Sequence, residues 1–125
     1  MTKILFIITA IIEGATGLAL MVSPSLVAVL LLGESLTTAA GMTVARVAGA
    51  ALVALAIACW QARSDTRSRA ARGLVTAMLF YNAAAAMVLA YAGVGLKLFG
   101  IALWPAVLLH TVLAILCIAS LQSQR

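Results

Sequence analysis

The chain has 125 residues, 66% of them hydrophobic and 9% charged, with a mean hydropathy of +1.22. A soluble domain needs roughly 25% charged residues to cover its surface, so eight basic and three acidic side chains argue against a soluble bundle and for one all-α transmembrane domain, 1–125. The formal net charge of +5 does not indicate nucleic-acid binding, because no aromatic stacking platform or reading motif accompanies the arginines.

The first apolar run, 4–22, is about the length needed to cross a bilayer core. Lys3 followed by an apolar stretch resembles the start of a signal peptide, with small residues at Ala15 and Gly17. Glu13 interrupts that pattern and apolar sequence resumes at Leu18, so the segment is expected to remain as a span. Ser23 and Pro24 end it, because proline cannot continue a helix and restricts the residue before it. Proline also suits the first turn of a new helix, with Ser23 as its cap. The run 24–32 is too short to span, and Gly33 closes it. It reads as a short interfacial helix between the first two spans. A polar connection, 34–41, offers Thr37 and Thr38 as caps for the next helix.

The second span is about 42–62, with Arg46 inside one end and Trp60 at the other. The segment 63–72 follows with Arg63, Arg67, Arg69 and Arg72, four of the eight basic residues. Between two spans this composition reads as a cytoplasmic loop that sets topology and meets anionic lipid headgroups. The third span is about 73–96 and contains Tyr81, Asn82 and Tyr91. A tight turn at 93–97 leads to the fourth, about 99–121, with Trp104 and Pro105 in its first turns and His110 inside it. If 63–72 is cytoplasmic, both termini are cytoplasmic too, and Lys3 and Arg125 lie on the same side. The expectation is an integral membrane four-helix bundle, N-in/C-in.

Small residues mark expected helix contacts, because close packing replaces the hydrophobic drive in lipid. They are Gly14 and Gly17 in the first span and Ala45, Gly49, Ala50, Ala54 and Ala58 in the second. The third carries the run 83–86. Cys59 and Cys117 have no CxxC context and read as buried apolar thiols.

Each span carries one strongly polar residue that reads as buried: Glu13, Arg46, Asn82 and His110. With about 1.5 Å of rise per residue, Glu13 lies ten residues beyond Lys3 and Asn82 ten beyond Arg72, which puts both about 15 Å from the inner boundary. His110 reaches a similar depth counted from Lys97. Arg46 lies above this level, about 25 Å from the inner side, and its long side chain can turn to the outer interface or down to Glu13. Glu34 is a competing partner. Thr9, Thr16 and Glu13 share roughly one helical face, so Thr9, Thr16 and Tyr81 are candidate pocket lining around an intramembrane site of Glu13, Arg46, Asn82 and His110. For Glu13 the readings are a structural pair with Arg46 or a functional carboxyl that carries a proton, anchors a ligand or holds a cation. Asn82 reads as an interhelical hydrogen-bonding residue. His110 reads as a structural hydrogen-bond partner, a proton-linked group or a metal or haem ligand.

No catalytic motif is present: GxSxG, P-loop, HExxH and GxGxxG are all absent. One histidine and two cysteines do not assemble a zinc site at the usual ligand count. No catalytic residue, metal or cofactor is assigned.

The layout resembles small bacterial DoxX-like and related four-helix membrane proteins. The residues that carry this resemblance are Glu13-Gly-Ala-Thr-Gly-Leu18, the Arg46-Val-Ala-Gly49 opening of the second span, the basic 63–72 loop, and Tyr81 with Asn82. Some proteins of this kind are subunits of redox enzymes acting near quinone, and that is the role the resemblance implies. A second resemblance, over one helix, is to small multidrug resistance transporters, which carry one carboxylate in the first helix where Glu13 stands here. Against that family, the 23–41 connection is long and Arg46 would repel a cationic substrate. The expectation is a multi-pass protein of the bacterial inner membrane with a buried polar cluster, either an accessory subunit of a membrane complex or a binder of an apolar ligand such as a quinone or lipid, with a homo-oligomer as a further arrangement. The alternative is a proton-coupled small-molecule transporter using Glu13.

Overall fold

A computed structural model of the chain describes residues 1–123. Arg125, counted above with the basic residues of the inner side, lies outside the described residues. Five helices follow one another: α1 (Thr2–Val22), α2 (Pro24–Leu32), α3 (Ala39–Ala62), α4 (Arg69–Val94) and α5 (Leu103–Gln122). Among the described residues there is no strand. Helices α1, α3, α4 and α5 are each long and apolar enough to cross a membrane.

Local chemistry sets the boundaries. Pro24 opens α2, and Gly33 closes it in the left-handed conformation, φ 78°, with its N–H donating to the Val29 carbonyl at 2.9 Å. Helix α3 starts at Ala39, three residues before the position read from hydropathy. Thr38 is extended, and its hydroxyl accepts from the Gly41 N–H at 3.0 Å. Helix α4 starts at Arg69 because Ser68 caps it, accepting from the Ala71 N–H at 3.1 Å. Arg69 and Arg72 therefore sit on the helix and not in a loop, and the connection shrinks to 63–68. Helix α5 starts later than expected, at Leu103. Lys97 adopts φ 59°, the Leu98 N–H turns back to the Ala92 carbonyl at 3.0 Å, and the Ala102 N–H donates to the Leu30 carbonyl at 2.8 Å. This loop ties the start of α5 to the end of α2.

The four long helices run in alternating directions, but they do not pack as equal neighbours. Helix α1 pairs closely with α3, and α4 with α5, while α3 and α4 barely meet. The α1–α3 seam depends on glycine. A Cβ on Gly17 would stand 2.6 Å from the Gly49 carbonyl oxygen, and one on Gly49 would stand 2.6 Å from that of Gly17. The expected alanine stripe divides here. Gly49, Val53 and Ala56 meet α1, at the spacing of one helical face, whereas Ala50, Ala54 and Ala58 are exposed.

The core occupies one half of the molecule. It joins Leu5, Phe6 and Ala10 of α1, Cys59 of α3, Ala71, Val75 and Met78 of α4, and Leu113 and Cys117 of α5. All lie toward the end that carries the 63–68 connection. The Cys59 thiol donates to the Met78 sulfur at 3.5 Å, and both cysteines are free and buried. The Thr2 and Ser120 hydroxyls, 2.7 Å apart, close the same end. The other half buries a smaller set, Pro24, Ala28, Ala92 and Leu103, and the outward faces carry large apolar side chains such as Ile4, Phe80 and Ile101.

Candidate ligand site

The two helix pairs part above the core and leave a cleft of about 500 Å³. Helix α1 contributes Ile12, Ala15, Thr16 and Ala19, and α2 contributes Val27, Leu30 and Leu31. Helix α5 supplies Pro105, Ala106 and Leu109, and α4 supplies Leu89. Ala15, Ala19, Leu30 and Pro105 are exposed as well as lining, so this is an open cleft and not a sealed cavity. Its volume falls within the range of small-molecule sites, about 300–1,000 Å³.

Its polar lining consists of Glu13, Thr16, Tyr81 and His110. Glu13 is only 1% exposed. Its Oε2 accepts from the Tyr81 hydroxyl at 3.1 Å, while its Oε1 is buried with no hydrogen-bond partner. Buried polar atoms are nearly always partnered, so the orphaned Oε1 of a residue that lines the cleft sets Glu13 apart from the other polar groups of the site. The Tyr81 and His110 rings meet edge to face, with centroids 5.6 Å apart and planes at 88°.

Asn82 lies behind this pair. It is fully buried; its Nδ2 donates to the Met78 carbonyl at 2.8 Å, and its Oδ1 lies 2.8 Å from His110 Nδ1. Tyr81 and Asn82 are adjacent on α4, about 100° apart around the helix at 3.6 residues per turn. One therefore reaches α1 and the other α5. This single dipeptide links both helix pairs at the level of the cleft.

Of the residues singled out from the sequence, Glu13, Tyr81, His110 and Thr16 line one cleft, and Asn82 supports it from behind. Thr9 and Arg46 are not part of the lining. Thr9 is buried one turn below Glu13, and its hydroxyl has no partner. Arg46 is exposed, and its Nε donates to the Met21 carbonyl at 3.2 Å. Of the two directions open to its side chain, this is the one away from Glu13. Arg63 stacks on Trp60, 4.1 Å from the ring centroid, and also donates to the Trp60 carbonyl. Arg67, Arg69 and Arg72 are exposed. Among the described residues no group of three or more His, Cys, Asp and Glu side chains gathers to hold a metal.

Sequence reading missed the direct Tyr81–Glu13 bond and the part α2 plays as a wall. A signal for the first existed, since Tyr81 and Glu13 fall at nearly equal depth. Nothing local signals the second, because α2 is apolar on every face beyond Ser25. Compared with protein-family models, with curated proteins and with solved structures, the chain matches none.

Proposed function

We propose that this chain is a multi-pass membrane protein of the bacterial inner membrane whose cleft binds an apolar molecule with a small polar head, of the quinone or lipid class. It does so alone, as a homo-oligomer, or as an accessory subunit of a larger membrane complex. The observation that carries the reading is the apolar cleft of about 500 Å³ ending on Glu13, whose Oε1 is buried and unpartnered. An apolar pocket with a few convergent polar groups is the usual form of a small-molecule site. The membrane setting is supported by four helices of spanning length and by the large apolar side chains on their outward faces, an exterior suited to lipid. The bias of Lys and Arg supports both termini on the cytoplasmic side.

Mass spectrometry of molecules extracted with the purified protein tests this reading. Wild type retains a defined apolar molecule, and Ala106→Trp, which fills the cleft, loses it. Identical extracts from both proteins would refute cleft binding.

A second reading, proton-coupled transport through Glu13, is favoured by one-ended access. The cleft lies on one side of Glu13, and the packed core around Phe6, Val75 and Met78 lies on the other. A carrier must open that core in turn. In proteoliposomes a carrier shows substrate-dependent proton movement that Glu13→Gln abolishes. Wild type without such movement excludes transport of the substrates tested.

A further inference from the structure

Resting on the reading of the cleft as an amphiphile site, we propose that it selects a neutral head carrying a hydroxyl over a head that only accepts hydrogen bonds. A backbone carbonyl can only accept, so the Asn82 group 2.8 Å from the Met78 carbonyl is the amide NH₂. The reversed amide would set two carbonyl oxygens against each other. Asn82 Oδ1 therefore faces His110 Nδ1 at 2.8 Å, and an oxygen that only accepts requires the ring proton on Nδ1. In the neutral ring this leaves Nε2, on the far edge, as a bare acceptor. It has no hydrogen-bond partner among the described residues, and His110 lines the cleft.

Tyr81 narrows the choice further. Its one hydroxyl proton is directed to Glu13 Oε2, so toward a ligand the phenol oxygen can only accept. The remaining polar groups are the Glu13 carboxyl, which accepts as a carboxylate and donates as an acid, and the Thr16 hydroxyl, which does either. A hydroxyl head donates to Nε2 and still accepts from Thr16 or from a protonated Glu13. It therefore suits both charge states of the carboxyl. An ether or ketone head, an oxidised quinone's included, leaves Nε2 without a donor in a largely apolar site, whereas the hydroxyl of a quinol or of a lipid supplies one. An ammonium head suits only the ionised carboxylate. Because the polar groups gather at the base and the walls above are apolar (Leu30, Leu31, Pro105 and Leu109 among them), one head with one apolar body fits.

The test uses the full chain in lipid nanodiscs and two isomeric probes, 1-decanol and methyl nonyl ether, with decylamine as the cationic arm. His110 is the only histidine, so the ring nitrogens of labelled protein give unambiguous ¹⁵N signals. Without a probe, wild type shows Nδ1 protonated and Nε2 bare; the opposite tautomer overturns the inference without any mutant. Decanol moves the Nε2 signal toward its hydrogen-bonded position and binds about tenfold or more tightly than the ether, the effect of one satisfied acceptor. Ala106→Trp abolishes the response. Equal responses to decanol and ether, or a stronger response to decylamine, overturn the head selectivity and leave cleft binding standing. No response to any probe removes both. Asn82→Leu, where it folds, releases the tautomer and brings the decanol-to-ether ratio close to one. A ratio unchanged in that variant would mean that Asn82 does not set the selectivity.

Discussion

At the scale of single residues, Glu13 is held by a phenol and not by a guanidinium. Tyr81 hydrogen-bonds its Oε2 at 3.1 Å, while Arg46 donates to the Met21 carbonyl at 3.2 Å. Interacting residues show a coupling energy in a double-mutant cycle, and distant ones are additive. Glu13→Gln and Tyr81→Phe should couple by about 0.5–1.7 kcal/mol, the range for interhelical hydrogen bonds in membranes. Glu13→Gln and Arg46→Met should be additive within about 0.5 kcal/mol. Reversible unfolding in mixed micelles measures both cycles. Strong coupling to Arg46 would mean that the guanidinium turns inward in the membrane.

At the scale of elements, the α1–α3 seam and the α2–α5 junction each depend on glycine. A Cβ on Gly17 would stand 2.6 Å from the Gly49 carbonyl oxygen, whereas one on Gly73 would meet nothing within 4 Å. Gly17→Ala should therefore destabilise by about 1–3 kcal/mol through overpacking. Gly73→Ala, inside α4, should stabilise by about 0.5–1 kcal/mol through backbone entropy. Micellar unfolding of the two variants checks the signs, and equal effects would contradict the seam. At the junction, a Cβ on Gly100 would overlap the Leu30 and Leu31 backbone. Gly100→Ala should push α2 away from the start of α5 and break the bond from the Ala102 N–H to the Leu30 carbonyl. Hydrogen exchange should then speed up at Ala102 and leave the α1 amides unchanged. Unaltered protection at Ala102 would show that α2 is held in some other way.

At the scale of the molecule, the orientation proposed from the basic residues has a direct check. Reporter fusions after Arg72 and after Arg125 should read cytoplasmic, and one within 34–38 should read external. An external signal after Arg72 would invert the arrangement and place the cleft in the other leaflet. The fold also predicts where a ligand acts. Because α1 pairs with α3 and α4 with α5, with the cleft bordered by α1, α2, α4 and α5, a bound molecule bridges the two pairs. Wild type should gain thermal stability with a cleft ligand by mass action, and Ala106→Trp should not respond. A shift of equal size in both would place the binding elsewhere.

Local signals determined the helices and their relative levels, apart from the start of α5, which the bond from the Ala102 N–H to the Leu30 carbonyl fixes. Four apolar runs of spanning length, the Ser23–Pro24 break, Gly33 and the cap at Thr38 act within a few residues of themselves; Ser68 caps α4 just as locally, but it is hidden among the arginines of an expected loop. The rise per residue then put Glu13, Asn82 and His110 near one level before any packing was known. The tertiary structure decided how the helices turn toward one another. In water an apolar stripe reveals which face of a helix is buried. In these four helices, each apolar enough to cross a membrane, nearly every face is apolar, so that signal vanishes and close packing chooses the neighbours. Gly17 against Gly49 therefore set the α1–α3 pair, while the alanines at 50, 54 and 58 faced outward. For the same reason, equal depth did not reveal that Tyr81, and not Arg46, meets Glu13. The wall formed by α2 followed from Gly100 lying under Leu30, a contact between segments about seventy residues apart. Such a contact exists only once the chain has folded.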